Sequence, residues 1–263
     1  MVPILMYHEI SARPDTASKL AVPPQAFARQ LEHLASHGFR TLTASTVAAA
    51  LAARSPLPER AVVLTFDDGF ADFHDHALPL LRRYGCTATL FVTTGWIADA
   101  GPLGAAGRRP GRMLTWSQII EAASEGIEIG AHSHCHPPLD QLGRERLGTE
   151  LTTSKQSLED ALGIPVPGLA YPFGYSNARV RRAAADVGYA YACAVGNAVA
   201  GREHDPFALP RLTVRASTGE STFGHAVCGQ GIPKLYRTDH VLTKGWAVVR
   251  RTRAIATGVP VRA

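Results

Sequence analysis

Apolar positions along the chain follow two periods in turn. Short runs dense in β-branched and aromatic residues read as strands at 3–7, 40–42, 61–66, 87–93, 127–131, 168–171, 189–195 and 209–214. Between them the spacing becomes helical, over 25–36, 72–84, 115–124, 144–162 and 178–186. Phe27, Leu31 and Leu34 line one face of the first helix, Thr115 caps the third, and Gly38, Gly85, Gly126 and Gly188 stand where helices should stop. Strand-then-helix alternation calls for parallel strands with helices packed outside. Eight strand-like runs before residue 215 favour closure into a (β/α) barrel over an open sheet. Residues 100–112, rich in Gly, Pro and Arg, read as an exposed loop in which Arg108, Arg109 and Arg112 could meet an anionic group. From Gly231 the alternation breaks. The expected layout is a barrel over 1–230 and a basic tail over 231–263, whose residues 241–256 could form a helix with Leu242, Trp246 and Val249 on one side. Lying on a membrane surface, packing on the barrel and staying disordered all remain open for that tail.

Composition narrows the class. A chain of 263 residues, 46% hydrophobic and 19% charged, fits one globular core and excludes wholesale disorder. No apolar run approaches the roughly 20 residues of a membrane span. Residues 1–6 lack a basic n-region and are too short an apolar stretch for a secretion signal. The expected setting is therefore the cytoplasm or its membrane surface. The net charge of +5 sits largely at the end: beyond Glu220 the only acidic residue is Asp239, against Arg237, Lys244, Arg250, Arg251, Arg253 and Arg262. Such a tail suits peripheral contact with anionic lipid; with no aromatic interleaving beyond Tyr236 and Trp246, nucleic acid is not the expected partner. Cys86, Cys135, Cys193 and Cys228 are scattered and form no CxxC pair, so reduced thiols are expected.

In barrels, chemistry collects where strands hand over to loops at their C-terminal ends. Here those ends carry His8, then Asp67 and Asp68, then His132 through His136, then Pro172-Phe173-Gly174, then Arg211. Asp-Asp-Gly alone is equally a turn. Two imidazoles four apart, His132 and His136, change its meaning, because two histidines and one aspartate make a sensible set for Zn²⁺, with Co²⁺, Ni²⁺ or Mn²⁺ as other candidates. His134 and Cys135 point elsewhere by alternation. An open divalent ion polarises a carbonyl, a free carboxylate beside it takes a proton from water, and an imidazole across the site returns one to a leaving nitrogen. These are the needs of amide hydrolysis.

At this point Thr65-Phe66-Asp67-Asp68-Gly69 and His132-Ser133-His134-Cys135-His136-Pro137 resemble the first two motifs of the polysaccharide deacetylase family (NodB homology, carbohydrate esterase family 4). Ala170-Tyr171-Pro172-Phe173-Gly174 is similar to the third. The resemblance spans residues 3–214 and implies a distorted (β/α) barrel that removes acetyl groups from N-acetylated amino sugars with a divalent metal. It implies Asp67 as catalytic base, Asp68, His132 and His136 as metal ligands, and the backbone N–H of Phe173 as an oxyanion donor. Two positions depart from the pattern. Ala170 stands where the family has an arginine that orients the aspartate, and Arg211 is the candidate replacement. The late Leu-x-His motif is missing, and His225 has the wrong context. Met6-Tyr7-His8 instead resembles the poly-N-acetylglucosamine deacetylase-like branch, which implies His8 as general acid. The expected substrate is an N-acetylated saccharide or glycoconjugate. Hydrolysis of a non-sugar amide or imide on the same fold remains an alternative, as does a non-catalytic glycan-binding protein, though a retained Asp67 argues against the latter.

Overall fold

The computed structural model describes residues 1–13, 19–101 and 110–239. All eight expected strands form: β1 (Ile4–Tyr7), β2 (Arg40–Leu42), β3 (Ala61–Phe66), β4 (Thr89–Val92), β5 (Glu128–Ala131), β6 (Gly168–Ala170), β7 (Tyr191–Val195) and β8 (Leu209–Thr213). Their pairings are parallel throughout and run β1-β8-β7-β6-β5-β4-β3, with β3 pairing back onto β1 to close the ring. The closed ring therefore has seven strands. The remaining strand, β2, lies against the first half of β3 (Ala61 to Val63), while β4 takes the second half of the same edge (Thr65 and Phe66). That shared edge is the distortion of the barrel.

Side chains alternate across the strands, and both faces are buried, which is why the strands read as nearly continuous apolar runs. Ile4, Val63, Phe91, Ala170, Tyr191, Cys193 and Leu209 fill the inside of the ring. Leu5, Leu64, Phe66, Leu90, Ile129, Leu169 and Leu212 face outward into the layer shared with the helices. Room inside comes from two glycines. A Cβ on Gly130 would lie 2.5 Å from the Phe91 ring, and one on Gly168 would lie 2.3 Å from the Tyr191 hydroxyl. Carried one step beyond the strand ends, the same period of two turns His8, Asp67, His132 and Asn197 toward the barrel mouth.

The helices are α1 (Pro24–Ser36), α2 (Ala44–Ala52), α3 (Leu78–Arg83), α4 (Trp116–Ser124), α5 (Arg144–Leu162), α6 (Ala178–Val187), α7 (Glu220–Val227) and α8 (Ile232–Leu235). The Ala-rich α2 escaped the pattern because alanines contrast little with their neighbours; Thr43 caps it, and its Ala44, Val47 and Ala48 join the inner cluster. The helix expected over 72–84 is broken into a π-helical turn, Phe73–Ala77, followed by α3. Pro79 offers no N–H to the carbonyl four residues back and its ring crowds that carbonyl; the wider turn absorbs both effects. A reciprocal capping box between Thr115 and Gln118 starts α4 as expected.

The boundary expected after residue 230 falls inside the packed body. Ile232 and Tyr236 are buried in the outer core, and the Tyr236 hydroxyl donates to the Thr213 carbonyl at 3.1 Å. Arg215, just past β8, then pairs with Asp239. Apolar burial, not charge, decides where this segment goes. Residues 241–256 and the arginines at 108 and 109 lie outside the described residues. Among the described residues no helix is long and apolar enough to cross a membrane.

Candidate active site

Asp67 follows β3 inside the barrel and meets Arg211, which β8 sends inward from the far side of β1. The guanidinium donates from both terminal nitrogens, 2.6 Å to Asp67 Oδ1 and 2.7 Å to Oδ2. It also donates to Thr65 Oγ1 at 3.1 Å and lies 5.6 Å from the centre of the Phe91 ring. Arg211 is 0% exposed and Asp67 3%. Burial by itself would raise the carboxyl's pKa; the adjacent guanidinium, His132 and His8 outweigh it, so Asp67 stays below the usual carboxylate range. Burial likewise disfavours the charged guanidinium, yet Asp67 holds it more strongly protonated than usual.

Asp68 turns the other way. Its backbone is left-handed (φ 75°), and its Oδ1 lies 3.4 Å from His132 Nε2 and 3.3 Å from His136 Nε2. That oxygen is buried and lacks a hydrogen-bond partner of good geometry. Burial would raise this carboxyl too, but contact with the two imidazoles takes it well below the ordinary value. One ligand atom from each of Asp68, His132 and His136 lies within 4.8 Å of the others, and no other such trio of His, Cys, Asp or Glu occurs among the described residues. An orphaned carboxylate oxygen facing two imidazole nitrogens is what a divalent ion would complete.

The two imidazoles are held by different means. His132 Nδ1 donates to the Ala170 carbonyl at 2.8 Å, which fixes the tautomer and leaves the Nε2 lone pair facing Asp68. Burial lowers its affinity for a proton, and the facing carboxylates Asp67 and Asp68 more than restore it. His136 is clamped by rings: Trp96 stacks on it at 4.7 Å and Phe173 meets it edge-on at 4.8 Å. The loop between them is braced from below, since Glu150 on α5 accepts from the backbone N–H groups of His134 and Cys135 at 2.9 and 2.7 Å. His134 Nδ1 lies 2.9 Å from Thr94 Oγ1, away from the trio.

His8, Phe173 and the trio line one cleft of about 410 Å³. His8 Nδ1 is buried with no hydrogen-bond partner, and burial lowers the ring's pKa against the opposing pull of Asp68 and Asp67. Phe173 is left-handed (φ 60°) and 54% exposed at the rim. Of seven non-glycine residues with positive φ in the described residues, Asp68, Ser133, His136, Phe173 and Asn197 belong to the loops around this mouth. Backbone strain is concentrated at the cleft. His225, by contrast, sits on α7 with Nδ1 2.7 Å from the Ser221 carbonyl, remote from the barrel mouth.

Comparison with known proteins follows the same geometry. The polysaccharide deacetylase family model matches residues 54–192. A polysaccharide deacetylase homologue of Bacillus subtilis, YxkH, is 30% identical over 223 residues, 85% of this chain and 75% of that one. The chain belongs to the polysaccharide deacetylase family. Its fold matches that of the Streptococcus pyogenes deacetylase PplD, solved in complex with acetate, with a TM-score of 0.77 and 27% identity over 86% of this chain and 97% of that one. The poly-β-1,6-N-acetyl-D-glucosamine N-deacetylase of Escherichia coli is 25% identical over 134 residues, 49% of this chain but 20% of that protein.

In this member of the family, Ala170 points into the ring where the family pattern has an arginine, and the Arg211 guanidinium reaches Asp67 instead. Three contributors were missed at the level of sequence. Glu150 is a buried acid on the inner face of an otherwise ordinary amphipathic helix, beside Leu147, Leu151 and Leu158. Trp96 lies in a short turn after β4 that carries no charge to draw notice. Asn197 follows β7 in the same inward phase as His8 and Asp67, and that phase was the available signal.

Proposed function

We propose that the chain is a metal-dependent hydrolase removing N-acetyl groups from an N-acetylated amino sugar in a glycan or glycoconjugate. The observation that carries this reading is the Asp68–His132–His136 trio standing beside a second carboxylate, Asp67, that a buried guanidinium keeps ionised. PplD, which shares the fold, was solved with acetate, the acid that such a reaction releases.

Asp68, His132 and His136 would hold the ion, with Zn²⁺ the best fit to two nitrogens and one oxygen and with faces left open. Bound there, it would polarise the acetyl carbonyl and acidify the attacking water. Asp67 takes the proton from that water, and Arg211 keeps both carboxylate oxygens oriented and charged. The Phe173 backbone N–H, at the rim beside His136, stabilises the oxyanion. His8, reaching the cleft from β1, delivers a proton to the departing amine. His8→Ala should therefore slow release of acetate from an N-acetyl amide far more than from an activated acetate ester, whose leaving group needs no proton. Equal loss on both substrates would remove His8 from that role.

The test of the whole reading is metal analysis of the purified protein combined with acetate release from N-acetylglucosamine oligomers, before and after chelation. Activity that disappears with chelator and returns with Zn²⁺ is expected. Acetate release that survives complete metal removal would refute the mechanism, and release only from cyclic ureides or formamides would refute the substrate class.

A further inference from the structure

Around the ring the metal-ligand trio occupies the arc of β3 and β5, and Trp96, in the turn after β4, lies between them. The opposite arc, formed by the ends of β7 and β8, has polar residues with no part in that chemistry. One of them is Asn197, 3% exposed yet lining the same cleft as His8 and the trio. Its backbone is left-handed (φ 45°), a conformation that asparagine tolerates better than most residues but still at some cost. Its N–H donates to the Arg211 carbonyl at 2.9 Å. Its side-chain Oδ1 accepts from the Thr213 N–H at 3.0 Å. That second bond decides the orientation of the amide, because a backbone donor must face the oxygen and not the NH₂. Nδ2 is therefore turned away from Thr213, and it donates to no acceptor among the described residues.

With its acceptor spent on Thr213 and two donors unspent at the wall of the cleft, this amide has hydrogen bonds to offer to a ligand there. We propose that Asn197 is a specificity-determining residue, donating from Nδ2 to an oxygen of the sugar ring that carries the acetamido group. This inference rests on the deacetylase reading. With the acetyl group drawn to the trio on one arc, the sugar extends across the mouth toward the other, where a hydroxyl or ring oxygen meets Nδ2. A hydrogen-bonding wall of this kind rejects acyl compounds that lack the partner oxygen. Neither Asp67 nor the metal ligands can discriminate in this way, since they address the acetyl group common to all such substrates.

Asn197→Asp separates the two bonds. The aspartate keeps an oxygen for the Thr213 N–H, so the fold is retained, but it removes both donors. Steady-state kinetics on an N-acetylglucosamine oligomer and on 4-nitrophenyl acetate, which has the acetyl group and no sugar, read the effect. The expected result is a KM for the oligomer raised about tenfold and kinetics on the ester within about twofold of wild type. Asn197→Gly, which adopts the same backbone freely and also lacks the donors, should raise the oligomer KM to a similar extent. Unchanged KM in both variants, or an equal loss on oligomer and ester, would overturn the proposal. A wild-type protein that cleaves the ester but releases no acetate from any N-acetylated sugar would instead overturn the substrate reading on which it rests, and the inference with it.

Discussion

Both ends of the barrel hold a carboxylate inside the ring, and they are held in different ways. At the end where the strands begin, Glu128 accepts from three neutral donors: the Ser45 N–H at 3.1 Å, the Thr89 hydroxyl at 2.7 Å and the Tyr191 hydroxyl at 3.1 Å. These bonds tie the start of α2 to the floor of the barrel. At the end where the strands finish, Asp67 is bound by a cation, with a second carboxylate and two imidazoles beside it. Neutral donors satisfy an acid without preparing it for anything. A buried guanidinium keeps an acid ionised and oriented while water and substrate come and go. The cavities make the same point in reverse. The larger space, about 750 Å³, lies at the floor end among Met1, Pro3, Leu57, Arg60 and Cys228, whereas the trio lines the smaller one. Volume does not locate the chemistry; convergence of ligating atoms does.

The contrast can be broken or sharpened by substitution. Asp67→Asn should reduce acetate release on the order of a thousandfold while the protein still binds one equivalent of metal, measured by plasma emission on dialysed samples. Arg211→Ala should leave Asp67 buried and unpaired, at a cost of about 3–5 kcal/mol in denaturant unfolding. Arg211→Lys keeps the charge but loses the two-pronged fit, so turnover should fall much further than metal affinity; turnover equal to wild type would end the orienting role. Glu150→Ala releases the loop carrying both imidazoles and should weaken metal binding by about 10- to 100-fold, measured by competition with a chromophoric chelator. The smallest effect belongs to the floor. Glu128→Gln should cost about 1–2 kcal/mol of stability and leave acetate release intact. If that variant loses activity while remaining folded, the division of labour between the two ends is wrong.

Much of this arrangement was legible in the amino-acid order. The period-2 runs located the strands because each is buried on both faces, and the placement of His8, Asp67, His132 and Arg211 one step past or within those runs made an inward-facing set readable. The pair four apart, His132 and His136, was readable as a metal motif because both come from one loop. Less was legible where the cause is not local. The Ala-rich α2 has little contrast to read, and the π-helical turn is a response to Pro79 inside a helix that otherwise looks regular. The segment after Gly231 reads as a tail by charge, yet Ile232 and Tyr236 bury their side chains against the barrel.

What the chain order determined by itself was therefore the barrel, its inward phase and the residues able to bind a metal, because strand alternation and loop motifs are properties of neighbouring residues. Only the tertiary structure decided that the Arg211 guanidinium reaches Asp67, that Glu150 braces the histidine loop and that Asn197 lines the cleft with its acceptor held by Thr213. Each of those depends on closure of the ring, which brings β8 beside β1 and lays α5 under the loop after β5, and no local pattern encodes which side chain will meet which across that distance.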